Sequence, residues 1–188
     1  MSQPLITNVT IFHGFGVTPQ KMWFPWMHEE MEKRGLAVTV PAFPNPLQPD
    51  EKAWMKVAAP IAARWNRQTL VIAHSIGGAF AIRMLSQGMA KQGIGGLVLV
   101  SSSYGSTLNI AKYVKFFARP LDWNRVRDSV KHIELLHAKD DALVPYDHAF
   151  RYAESLQASL TVTAKGGHFV GKQCPQALKL ATKIIKGE

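Results

Sequence analysis

An apolar run, Thr69-Leu70-Val71-Ile72-Ala73, passes directly into the apolar stretch 77–88 through Ala73-His74-Ser75-Ile76-Gly77. A strand that becomes a helix within five residues leaves little room for side chains two positions before or after its central residue. It also lifts the central side chain clear of the sheet in a strained backbone conformation. Ala73 and Gly77 meet the size requirement, Ala73 standing where glycine is usual. The residue so presented is Ser75. A serine hydroxyl becomes an effective nucleophile only when a base accepts its proton and an acid holds the base. The chemistry to expect is attack on an acyl carbonyl through a transient acyl-serine.

Candidates for the base and the acid follow downstream. Gly166-Gly167-His168-Phe169 comes after one strand-like run and Asp140-Asp141-Ala142-Leu143-Val144-Pro145 after the preceding one. The order is Ser75, Asp141, His168, each at the C-terminal end of a strand. Asp141 is preferred to Asp140 because the Val-Pro that follows places its carboxylate in the turn facing the histidine loop, leaving Asp140 to order that turn. The other histidines lack the glycine setting of His168. His74 flanks the nucleophile and is expected to point away from it, His137 reads as a hydrogen-bonded core residue, and His28, His132 and His148 read as surface or helical positions. An oxyanion needs backbone N–H donors. Ile76 supplies one, and the turn Phe12-His13-Gly14-Phe15-Gly16 offers the other at Phe15, so that His13 and Gly14, with Tyr104, are expected to border the substrate.

The elements that must position these groups alternate regularly. Strand-like runs at 9–12, 36–40, 69–73, 97–100, 133–137 and 160–163 are separated by helix-like segments at 22–33, 51–66 (kinked near Pro60), 77–88, 147–157 and 175–186. Such alternation predicts an α/β fold with a six-stranded, mostly or wholly parallel sheet covered by helices on both faces. In such a sheet the site lies at the C-terminal strand ends, beside the switch point. One domain is expected over 1–188, with 102–130 as a short flap carrying Tyr104, Tyr113, Phe116, Phe117 and Trp123.

Composition sets the outer bounds. With 47% hydrophobic and 19% charged residues, the 188-residue chain can form a packed core, which excludes a disordered or collagen-like polymer. The single cysteine, Cys174, cannot form an internal disulfide, and no HxH or HExxH spacing supports a metal. No GxGxxG run or P-loop lysine is present, so no cofactor is expected. The N-terminus lacks a basic signal region and no apolar run reaches membrane-span length, so the expected location is cytoplasmic. The net charge of +9 admits an anionic partner. Lys179, Lys183 and Lys186 read as one solvated helix face. Lys112, Lys115, Arg119, Arg125, Arg127 and Lys131 lie in or beside the flap. Solubility is the role expected of both groups; if the second has a further function, it is to attract an anionic substrate or carrier group toward Ser75, and nucleic acid is not the expected partner.

The chain resembles the small serine α/β-hydrolases of the retinoblastoma-binding-protein type and their bacterial relatives. The resemblance runs end to end. It rests on His13-Gly14-Phe15-Gly16 followed by Trp23-Phe24-Pro25-Trp26-Met27, on Trp54 after the proline-rich loop, on Ala73-His74-Ser75-Ile76-Gly77-Gly78, on Asp140-Asp141 before Val144-Pro145, and on Gly167-His168-Phe169. It implies a three-layer α/β-hydrolase core and a serine hydrolase with carboxylesterase-like activity; the shortness of the 102–130 flap makes the lid minimal and favours small acyl esters. Thioester hydrolysis or acyl transfer by the same triad, or a non-catalytic binding role, are the alternatives. Substrate identity and oligomeric state stay open.

Overall fold

The computed structural model describes residues 6–105 and 119–188. Six strands, β1 (Asn8–Phe12), β2 (Ala37–Thr39), β3 (Thr69–His74), β4 (Ile94–Val100), β5 (Val130–Ala138) and β6 (Ser159–Thr163), form one sheet in the order β2-β1-β3-β4-β5-β6. Every pairing is parallel. The described helices are α1 (Phe24–Glu32), α2 (Glu51–Ala62), α3 (Ile76–Ser86), α4 (Trp123–Ser129), α5 (Asp147–Leu156) and α6 (Pro175–Lys186).

Strand alternation sorts the side chains into two layers. Val9, Ile11, Leu70, Ile72, Val98 and Val100 face α1 and α6, while Phe12, Val71, Ala73, Leu97 and Leu99 face α2 to α5. Both faces are therefore buried, which is why β3 and β4 read as continuous apolar runs. The order β2-β1-β3 means that the chain leaves β1 in one direction and returns on its other side. The end of β3 thus sits at the topological switch point, next to the loop that follows β1.

The expected elements are found with shifted ends that have local causes. Helix α1 starts at Phe24 rather than 22 because Met22 takes a positive φ of 55°. Helix α2, N-capped by the Asp50 carboxylate on the Ala53 amide, runs through Pro60 and ends at Ala62. The Arg64 and Trp65 amides then bond Ile61 and Ala62, a tightened end that stops the helix short of 66. Strand β4 begins at Ile94, since Gly95 and Gly96 pass where a Cβ would strike the Arg67 carbonyl or Ile184.

Of the flap, residues 106–118, with Tyr113, Phe116, Phe117, Lys112 and Lys115, lie outside the described residues. The remainder holds α4 and a loop anchored by Arg83, whose guanidinium donates to the Pro120 and Arg119 carbonyls at 3.0 and 2.6 Å. The basic residues described here are largely structural. Arg119 pairs with Glu51, Arg125 lies near Asp122, and Arg127 bonds the Ser155 carbonyl and Asn124. Lys183, on the partly solvated face where it is expected, also reaches the buried Glu134 carboxylate at 2.5 Å. Among the described residues no helix is long and apolar enough to cross a membrane.

Trp54 ties the proline-rich loop to this core. Its ring stacks on Phe43 at 4.4 Å, meets Phe80 edge-on, and donates to the Pro44 carbonyl at 3.0 Å. Trp54→Ala should lower stability by about 3–5 kcal/mol, measured by urea unfolding, because a fully buried indole leaves a cavity and an unpaired carbonyl.

Candidate active site

Ser75 follows the last residue of β3 and caps α3 with φ 56° and ψ −128°, outside the regions a serine ordinarily occupies. Its neighbours enforce that conformation. The Ser75 amide donates to the Val100 carbonyl at 2.9 Å, and the Gly78 amide bonds back to the Ser75 carbonyl. A Cβ at Gly77 would lie 2.4 Å from the His13 carbonyl oxygen, and one at Gly14 would lie 2.8 Å from the Ser75 Cβ. The turn after β1 is therefore pressed directly against the β3-to-α3 turn, and neither glycine can carry a side chain.

Asp141 and His168 are brought together from the ends of β5 and β6. His168 Nδ1 donates to Asp141 Oδ2 at 2.9 Å, and the Asp141 side chain has no exposed surface. Its other oxygen accepts from the Leu143 and Val144 amides, each at 2.9 Å, the Asx geometry that the Asp-x-x-Val spacing permits. Burial opposes ionisation of this carboxyl, but the His168 and backbone hydrogen bonds outweigh it and hold the group at about 2. Asp140 does more than order its own turn. Its carboxylate accepts from the Gly167 amide at 2.8 Å, which couples the acid loop to the histidine loop.

The remaining expected residues divide. Ile76 opens α3, where first-turn amides have no intrahelical acceptor. Phe15 is partly buried against the core on the α2 side. Gly14 lies over Ser75 as described. His13 is a correction, because its side chain has no exposed surface and both ring nitrogens are used. Nδ1 donates to the Gly14 carbonyl and Nε2 accepts from the Phe43 amide, both at 3.0 Å. The ring therefore fixes the loop rather than touching substrate. Tyr104 stacks on Trp123 with its hydroxyl on Ser155, and it lines a cavity of about 240 Å3 together with Ala79, Arg83, Leu121 and Tyr152.

Two histidines have more to do here than the sequence suggested. His148 accepts from the Tyr104 amide at 2.8 Å, fixing the segment that follows β4. His74 is fully buried and its Nε2 donates to the His168 carbonyl at 2.8 Å. The signal available was strand period alone, which puts His74 on the α1 side of the sheet; nothing in the sequence reveals that the histidine loop descends on that same side. His137 is the core residue expected, donating to the Val144 carbonyl at 3.0 Å with Asp141 Oδ2 at 3.5 Å. Burial pushes the Cys174 thiol up to about 11, which disfavours its thiolate at neutral pH.

An all-parallel sheet of this order, with a strained serine on the β3-to-α3 turn and a histidine and a carboxylate on later strand ends, defines an α/β-hydrolase fold. The chain belongs to the Serine hydrolase family, whose model matches residues 9–184. It is 28% identical over 178 residues to YdeN of Bacillus subtilis (strain 168), covering 95% of this chain and 94% of that one. The crystal structure of the ydeN gene product superposes with a TM-score of 0.91 at 26% identity, covering 96% and 99% of the two chains. The serine hydrolase RBBP9 of Rattus norvegicus is 22% identical, with 98% of each chain covered.

A pH-dependent stability follows from Asp141. Its carboxyl is held below the value near 3.8 of the unfolded chain, so its contribution is complete above about pH 5 and is lost as pH falls through about 2. Wild type should lose about 2 kcal/mol more than Asp141→Asn between pH 5 and pH 2, read from denaturant unfolding at each pH.

Proposed function

We propose that the protein is a carboxylesterase that hydrolyses small acyl esters through Ser75, His168 and Asp141. The observation that carries this reading is the 2.9 Å hydrogen bond from His168 to a buried Asp141, with the His168 ring 4.7 Å from that of His74, the residue that precedes the serine of the strained strand-to-helix turn. Asp141 fixes the His168 tautomer with its proton on Nδ1, so Nε2 is the nitrogen left to accept the Ser75 proton as Oγ attacks the acyl carbon. The amides of Ile76 and Phe15 stabilise the oxyanion. His168 returns the proton to the departing alkoxide, and water then releases the acyl group with the same histidine as base.

The substrate class draws support from the space beside α3. Ala79, which borders the 240 Å3 cavity, is one turn beyond Ser75, about 6 Å along the helix axis. Tyr104 and Trp123 give the far wall an aromatic face.

A fluorophosphonate probe should label the native protein and leave Ser75→Ala unlabelled; a folded wild type that resists the probe would overturn the reading. Butyrate esters should be turned over faster than palmitate esters. Asp141→Asn should lower kcat about 10⁴-fold. Asp140→Asn keeps an oxygen for the Gly167 amide and should cost far less. The reverse ranking would make Asp140 the acid.

A further inference from the structure

The loop that carries His168 is unusual in its backbone. Gly166 has φ 150°, Gly167 has φ 53°, and Phe169, a residue with a bulky side chain, has φ 49°. A segment of this kind persists only when its surroundings hold it. Two ring N–H groups do so at successive carbonyls. His74 Nε2 donates to the His168 carbonyl at 2.8 Å, and Trp23 Nε1 donates to the Phe169 carbonyl at 2.9 Å. Both donor side chains are buried, and they touch each other edge-to-face at 5.8 Å. The His74 ring also lies against the His168 ring, with centroids 4.7 Å apart.

We infer that His74 and Trp23 are positioning residues that clamp the base loop and so set where the His168 imidazole stands relative to Ser75. Asp141 fixes only one atom of that imidazole, Nδ1, and a hydrogen bond at one atom leaves the ring free to swing about it. The clamp fixes the backbone from which the ring is hung. Because His74 immediately precedes Ser75, the same residue sets the base against the nucleophile turn, and an error in one is shared by the other. The carbonyl acceptor requires the His74 proton on Nε2. Its Nδ1 then faces the buried turn at Gly14 without a hydrogen-bond partner, a cost the molecule bears to keep the ring in place. Burial holds His74 at about 3, so its own ring stays uncharged at neutral pH.

This inference rests on His168 being the base proposed above. The test compares His74→Phe, which keeps an aromatic ring without the N–H, with His74→Gln, whose amide can reach the same carbonyl, and with Trp23→Phe. The readouts are kcat and KM on a butyrate ester and the low-field proton resonance of His168 Nδ1–H, which reports the bond to Asp141 without substrate. His74→Phe should lower kcat about 10- to 100-fold with KM within about twofold, and shift or broaden the resonance. His74→Gln should restore most of both, and Trp23→Phe should move both in the same direction as His74→Phe. Wild-type kcat and resonance in His74→Phe, or a His74→Gln as impaired as His74→Phe, would overturn the clamp. Should His74→Phe not fold, Trp23→Phe and His74→Gln decide it. A wild type that no fluorophosphonate labels would refute the esterase reading alone, and the His168 resonance would still decide the clamp.

Discussion

The close approach of three backbone segments around Ser75 is the constraint on which the site depends. The turn after β1, the β3-to-α3 turn and the end of β4 meet where Gly14 and Gly77 have no space for a Cβ, and where Ser75 is held at a positive φ by bonds to Val100 and Gly78. A strained residue of this kind costs on the order of 1–3 kcal/mol, a cost that a well-packed surround can sustain. That surround is the apolar helix α3, buried along its whole length, and the two strands on either side of β3. The strain is therefore borne by the part of the fold least able to relax.

Around this point the histidines are separated by environment rather than by sequence. His13, His74 and His137 are buried and burial lowers each of them, so they serve as neutral hydrogen-bonding rings. Each spends an N–H on a backbone carbonyl: Gly14, His168 and Val144. His168, by contrast with these three, directs its Nδ1–H to the Asp141 carboxylate. Asp141, in turn, stays ionised in a buried position because two amides and a ring donate to it. A buried charge is tolerated only when its acceptor sites are filled, and the loop after β5 is shaped to fill them.

Much of this was legible in the sequence because it depends on short-range rules. Period-two burial, helix-breaking residues and the tightness of a five-residue turn are local, so the six strands, the parallel sheet and the candidacy of Ser75, Asp141 and His168 could all be read from the chain. The departures come from contacts distant in sequence. His13 looked like a residue of the site mouth until Phe43 and Trp54 were seen to enclose it, and the ion pair of Lys183 with Glu134 joins residues 49 apart in sequence.

His74 marks the boundary most clearly. Sequence alone determined that it follows an apolar strand and precedes the serine, and that its side chain must lie on the sheet face opposite Ala73. Only the tertiary structure decided what it meets there. The chain returns from β6 to α6 on the face that α1 also covers, which carries the His168 carbonyl to the His74 ring across 94 residues of sequence. Local propensity fixes the direction in which a side chain leaves the backbone; the folding of the chain as a whole fixes its partner.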